Sequence, residues 1–424
     1  MSLQASVPGL LIRLLVVRSL AQGLSYKLQM TRLYSGTSTN RKVAKRVGTS
    51  PNVLEDCGAR LRSGHLVAFP TETVYGLGCH ALDEIAVRRV FAAKERPLTD
   101  PLIVHVASAA EALQLWCAID FETRQVLNTL CQGLWPGPLT VVSRAAVDDF
   151  GNSAVPPLVM ANTGYVAVRC PSHELARALI RAARVPIAAP SANKFGHVSP
   201  TRADHVLRDL GQEDVWVMDP ELDTTENDKV CQVGVESTVV KLDTSNGPLS
   251  LHILRHGAIS QAQIQQCLLS AGITNVPVLD FKPNVNKSAT GPINHVAPGQ
   301  EIRHYSPDVP SFMLDAKFCA SLQSNTNDCD QHASELSSAV LLDFGAQLAP
   351  LKAFALAYRD LSTSANATEA AANVFEALRW AESVPNASRV YFPQITLNDE
   401  SSALLLALKD RLTRAASGVI VTSL

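Results

Sequence analysis

Residues 69–105, FPTETVYGLGCHALDEIAVRRVFAAKERPLTDPLIVH, decide how this chain folds. A short apolar strand, 66–69, leads in, and Pro70 ends its ladder because proline has no N–H to donate. Thr71, Glu72 and Thr73 then stand at the strand's end, where open α/β sheets place ligands. Gly76 and Gly78 let the backbone come close to a neighbour or a ligand. From about Asp83, the spacing of Ala86, Val87, Val90 and Phe91 predicts a helix with one apolar face, closed by Pro97. Lys94 and Arg96 lie at its end. Cations there can offset the helix dipole. Beside a polar strand end they can equally form an anion site.

Working outward, residues 55–281 read as one domain. Further strands are expected at 102–106, 139–143, 166–169, 186–189, 215–218, 239–242 and 251–254, and helices at 109–116 and 122–130. Strands outnumber helices, so a simple βα repeat is excluded in favour of an α/β (α+β) fold: a large twisted mixed sheet with flanking helices. Residues 282–309, rich in Pro, Gly and Asn, read as a linker. Residues 310–424 read as a small Rossmann-like α/β domain, with strands at 339–344 and 389–392 and helices at 368–381 and 403–415. The polar stretch 321–338 reads as a surface loop. No glycine fingerprint follows the first strand of this domain, so it is assigned no dinucleotide.

Residues 1–54 contain eight Lys or Arg and no acid, the first being Glu55. This composition reads as a mitochondrial transit peptide, with Met30 as a second start giving a cytoplasmic form. Arg13 and Arg18 break its apolar run, which excludes a membrane span there. The whole chain carries 37 basic and 39 acidic residues; without the tail the balance is 29 to 39. So acidic a body argues against a stand-alone RNA-binding surface. The nine cysteines are scattered and none has metal-ligand spacing, which fits a reducing compartment and leaves no predicted metal site.

The opening stretch resembles the YrdC-like family, with Lys94–Arg96 as its KxR motif and Ser191–Asn193 as its SxN motif. FPTETVYGLG, LWPGPLT, VAVRCP, GVESTVV and PGQEIRHYSP match in the same order, and the last points to the two-domain form, the threonylcarbamoyl-adenylate synthases. The resemblance implies a nucleotidyltransferase that makes L-threonylcarbamoyl-AMP and pyrophosphate from L-threonine, bicarbonate and ATP with Mg2+. A downstream transferase then modifies tRNA. By the same resemblance, Thr73, His105, Arg169, Ser237 and the backbone at Ala189 correspond to threonine-binding positions. Lys94, Arg96, Asp100, Tyr165, Ser191, Asn193, Ser199, Arg255 and linker Tyr305 correspond to positions around ATP, with Lys94 and Arg96 as the catalytic pair. Asp100 and Tyr165 depart from the family's usual Asn and Thr.

The residue types suit that chemistry. A carbamate is already an oxyanion and needs no protein nucleophile, only cations and hydrogen bonds that hold two anions together. Two other readings remain open at this level. One is a carbamoyl-adenylate module of the hydrogenase-maturation type, whose usual acylphosphatase and zinc-finger segments are missing here. The other is a non-enzymatic, translation-associated RNA-binding protein. The linker is expected to act as a lid over the nucleotide, with Tyr305 as its contact.

Overall fold

The computed structural model describes residues 43–117, 120–223, 230–244, 247–280, 296–297, 305–324, 330–398 and 401–424. The transit-peptide expectation for 1–42 and most of the 282–309 linker therefore lie outside the described residues. Among those described, no helix is long and apolar enough to cross a membrane. All eight described cysteines are free thiols.

The chain from Val43 builds β1 (Lys45–Val47), α1 (Pro51–Arg62), β2 (Leu66–Phe69), β3 (Gly76–His80), α2 (Glu84–Lys94), β4 (Ile103–His105), α3 (Ala109–Leu115) and α4 (Phe121–Leu134). It continues through β5 (Leu139–Arg144), β6 (Tyr165–Arg169), α5 (Glu174–Ala183), β7 (Ile187–Ala188), α6 (Ala203–Leu210), β8 (Val215–Met218), β9 (Thr238–Asp243), β10 (Ser250–Arg255), α7 (Gln261–Ser270) and β11 (Val278–Asp280). These strands form one mixed sheet of eleven, in the order β1-β8-β2-β3-β7-β4-β6-β5-β9-β10-β11.

The two faces of this sheet are covered differently, and that places the site. One face, with Ala68, Leu77, Val104, Val166 and Val168, is buried under α2, α3 and α4. On the other, α1 and α5 cover only the part carrying Val67, Phe69, Ile187 and Met218. Side chains alternate along a strand. Ile103 and His105 of β4, and Tyr165, Ala167 and Arg169 of β6, therefore project onto this second face, just beyond the helix-covered part.

A C-terminal layer follows: β12 (Ser311–Leu314), α8 (Ala316–Ser324), α9 (Ala333–Leu336), β13 (Ala339–Asp343), β14 (Ala357–Asp360), α10 (Ala367–Ser383), β15 (Arg389–Pro393), α11 (Ala403–Ala415) and β16 (Ile420–Val421). Its five strands run parallel in the order β14-β13-β15-β12-β16, with helices on both faces, as a Rossmann-like layer requires. The two layers belong to one compact unit, Val43–Leu424.

Three expectations change. Residues 45–54, assigned to the tail, form β1 and the first turn of α1. Their basic groups serve the fold: Lys45 stacks on Trp216 at 4.7 Å, and Arg46 pairs with buried Asp219 at 2.5 Å. The 321–338 loop is helical at both ends, because Cys319 and Leu322 fall on one buried face of α8 and Leu336 anchors α9. Helix α2 ends through Glu95 in the left-handed conformation (φ 56°), one turn-closing residue before Arg96 and Pro97.

Candidate active site

A narrow cavity opens on the second face of the large sheet, where β4, β6, β7 and the loops after β2 and before β9 meet. Thr73, Arg96, His105, Arg169, Ala189, Ser191, Ser237, Arg255 and Tyr305 line it, together with Thr71 and Glu236. All five threonine positions expected from the sequence are thus brought together, with four of the nine nucleotide positions.

Arg169 ends β6 and is buried. Its Nη1 donates to Thr73 Oγ1 at 2.9 Å, its Nε donates to the Gly137 carbonyl at 3.3 Å, and Nη2 lies 2.6 Å from Glu72 Oε1. Thr73 is fixed in turn by Thr71, whose hydroxyl lies 2.8 Å away and donates to the Val74 carbonyl. Burial pushes Glu72 up, but the Arg169 guanidinium outweighs it and holds the carboxyl below its usual range. His105 is driven down to about 3, first by burial and then by Arg169, so it faces the cavity as a neutral ring. Its Nδ1 lies 3.2 Å from the Ile103 carbonyl. Ser237 Oγ bonds Thr140 Oγ1 at 2.7 Å and accepts from Arg255 Nη2 at 3.2 Å. The Ala189 N–H is used by the sheet, donating to Ile103 at 2.9 Å.

Arg96 also lines the cavity and is buried. It donates to the Pro101 carbonyl at 2.8 Å and pairs with Asp100 Oδ2 at 2.9 Å. Asp100 is itself buried and lies outside the cavity lining, so its charge is spent behind Arg96 instead of facing an anion. Two cavity arginines therefore have a carboxylate at their back, which fixes their forks before any ligand arrives.

The remaining nucleotide positions sit away from the lining. Lys94 is fully buried; its ammonium donates to the Ser191 carbonyl at 2.6 Å and to the Asn193 carbonyl. Burial, then the Arg96 charge, pushes its pKa well below the ordinary lysine value. The KxR lysine thus braces the SxN loop, where the sequence suggested a cation projecting from a helix end. Asn193 turns inward and donates to the carbonyls of Lys194 and His197 at 2.7 and 2.8 Å. Ser199 Oγ donates to Glu236 Oε1 at 2.6 Å. Tyr165 lies four residues along β6 from Arg169, roughly 13 Å at strand rise, under Lys241 at 4.4 Å and Arg144 at 5.2 Å. Between Tyr165 and the cavity runs an apolar strip of Ile103, Val142, Ala167 and Val239, on which Val296 and Ala297 pack. Those two residues belong to the linker and sit on the open sheet face.

Glu72, Glu236 and Arg411 were not predicted as site residues. Arg411 had a signal: it shares the spacing of Ala407, Leu408, Leu412 and Ala415, so an arginine falls on the apolar face of α11. A larger cavity of about 750 Å³ lies against Glu72, His173, Arg177 and Glu221. It contains no predicted site residue.

Comparison with known proteins finds matches over most of the chain. The family described as Telomere recombination matches residues 59–257, and Threonylcarbamoyl-AMP synthase, C-terminal domain, matches 259–417. The chain is 37% identical over 255 residues to a Pyrococcus abyssi threonylcarbamoyl-AMP synthase, spanning 60% of this chain and 66% of that one. It is 35% identical over 268 residues to the Bacillus subtilis protein of that name, spanning 63% and 68%. A crystal structure of P. abyssi Sua5 complexed with L-threonine superposes with a TM-score of 0.70 at 30% identity, covering 90% of this chain and 99% of that one. The mixed large sheet and the parallel C-terminal layer are therefore those of this architecture.

Proposed function

The chain belongs to the threonylcarbamoyl-AMP synthase family, and we propose that it is a nucleotidyltransferase forming L-threonylcarbamoyl-AMP and pyrophosphate from L-threonine, bicarbonate and ATP. The observation that carries this is Arg169. Its fork is held by Thr73, Glu72 and Gly137 at the rim of a cavity that also holds neutral His105, Ser237 and two further arginines.

In this reading Arg169 takes the threonine carboxylate, and Thr73 and Ser237 offer hydroxyls to its polar atoms. Neutral His105 adds no positive charge against the amine. The amine and bicarbonate lose water to give a carbamate. One carbamate oxygen then attacks the α-phosphorus of ATP, its P–O bond forms, and the bond to the leaving pyrophosphate breaks. Arg96 and Arg255 supply charge to the phosphates without reorganising, because the fold already orients both. Mg2+ comes bound to the triphosphate. Among the described residues the lining offers one carboxylate, Glu236, already paired with Arg411, so the triphosphate oxygens would supply the charge that holds the ion. Lys94 acts by holding the SxN loop. The apolar strip under Val296 and Ala297 supports a linker that shields the nucleotide from water.

The product would feed a transferase that modifies tRNA, with no direct RNA surface required. Residues 1–42 would address the chain to mitochondria, and initiation at Met30 would leave a cytoplasmic form. A reporter fused to residues 1–42 carrying Met30→Leu, which removes the second start, tests the address: mitochondrial fluorescence supports it and a diffuse signal refutes it. The reaction is tested by pyrophosphate release. It should require both threonine and bicarbonate, and serine should be slower, since one missing methyl is worth about 1–3 kcal/mol in a pocket. Release that ignores threonine would overturn the assignment.

A further inference from the structure

Three loops of the large-sheet layer deliver polar groups to the cavity or its rim, and each has a neighbouring apolar residue buried in the core of the other layer. Val74 follows Thr73, Val198 precedes Ser199 and Val235 precedes Glu236; all three pack with Tyr305, Val374 and Phe375. Gly234 lies against α10 so closely that a Cβ there would come within 2.4 Å of the Ala371 carbonyl oxygen and of Ala372 Cα. Its φ of 74° also favours glycine. Tyr305 holds φ 61°, an unfavourable conformation for a bulky residue, with its ring 5.3 Å from Phe375.

The polar end of this interface is Arg411 of α11, fully buried. Its Nε donates to Glu236 Oε2 at 3.0 Å, while Glu236 Oε1 accepts from Ser199. The Arg411 guanidinium also lies 5.3 Å from the Tyr305 ring centroid and pairs with Asp410 at 2.8 Å. Glu236 is a carboxylate in the wall of an anion site, beside Arg255. Without a partner behind it, it would repel phosphate and draw Arg255 onto itself.

We propose that Arg411 is a positioning residue of the active site: by holding and neutralising Glu236 from the C-terminal layer, it leaves Arg255 directed at the substrate phosphates. The C-terminal layer is thereby part of the site's scaffold. This rests on the reading that the cavity takes ATP.

The test is a double-mutant cycle in the full chain, read as KM for ATP in pyrophosphate release and as Kd for ATP by calorimetry. Arg411→Met should raise KM and Kd for ATP about tenfold. Adding Glu236→Gln should bring both back to within about threefold of Glu236→Gln alone, because the charge that Arg411 restrained is gone. Arg411→Lys, which keeps the charge, should give a smaller rise that Glu236→Gln also relieves; it replaces Arg411→Met in the cycle if that variant does not fold. A purely packing role predicts a lower melting temperature with unchanged KM, or effects of the two substitutions that multiply; either result overturns the proposal. A wild type that binds ATP but releases no pyrophosphate overturns the assigned reaction only, and the cycle in Kd still decides the role of Arg411. A wild type that does not bind ATP overturns both.

Discussion

At the residue scale, the site is a set of arginines each set in place by something behind it. Arg96 and Asp100 form a pair in which both side chains are at most 3% exposed. Removing one partner of such a pair strands a buried charge and costs about 3–5 kcal/mol. Arg96→Ala should therefore lower both stability and turnover, contrary to the mild structural effect expected of a helix-end cation. Arg96→Ala combined with Asp100→Asn should recover most of the stability in urea melts and none of the turnover. Recovery of turnover as well would mean that Arg96 serves only the fold. The sequence located Arg96, Arg169, Thr73 and Ser237 because their motifs are local strings. It could not assign Lys94 its two carbonyl partners or see Asp100 turned onto Arg96, since those depend on the loop at 191–193 and on burial, which no string contains.

At the element scale, continuous apolar runs and regular apolar spacing were legible: the strands expected at 66–69, 215–218 and 389–392 by the first, and the helix 403–415 by the second. Elements whose stability comes from distant partners were not. Strand β1 has only three residues, with an exposed start, and is held by pairing with β8 and by Arg46 on Asp219 and Asp204. Strand β3 contains two glycines, weak strand formers, and is held between β2 and β7. Its Gly78 is required there, because a Cβ would come within 2.9 Å of Ile187 and Phe69. The basic tail and the start of the fold thus overlap in composition while differing in role. A chain started at Val43 should fold and retain full activity. One started at Val53 loses β1 and the first two residues of α1, leaving the β8 edge open and Asp219 unpaired. It should unfold at lower temperature and aggregate; equal melting temperatures for the two would show that β1 is dispensable.

At the scale of the whole molecule, the layers are locked by charge as well as by apolar contact. His197, in the loop after the SxN motif, places Nδ1 2.9 Å from Asp209 of α6 and Nε2 3.0 Å from Glu382 of α10. Arg379 of α10 closes the ring on Asp209 at 3.0 Å, with Arg208 and Asp308 at its edge. Burial pushes His197 down, but Asp209 and Glu382 outweigh it and raise it from 6.5 to about 9. A histidine raised in the fold gives stability that is complete below pH 6.5 and is lost as pH climbs through 9, up to about 3 kcal/mol. His197→Gln should remove that alkaline decline, measured as unfolding free energy between pH 6.5 and 9.5; the same decline in the variant would refute the assignment. Such docking also revises the linker's role, since Tyr305 is anchored by the C-terminal layer and cannot act as a lid without it. The function of the whole molecule turns on the identity of its product. It is tested most directly by mass spectrometry of the mixture formed by the purified chain from ATP, labelled bicarbonate and labelled L-threonine. One adenylate carrying both labels should form, with an equal amount of pyrophosphate. An adenylate lacking the bicarbonate carbon, or ADP and phosphate in its place, would contradict it.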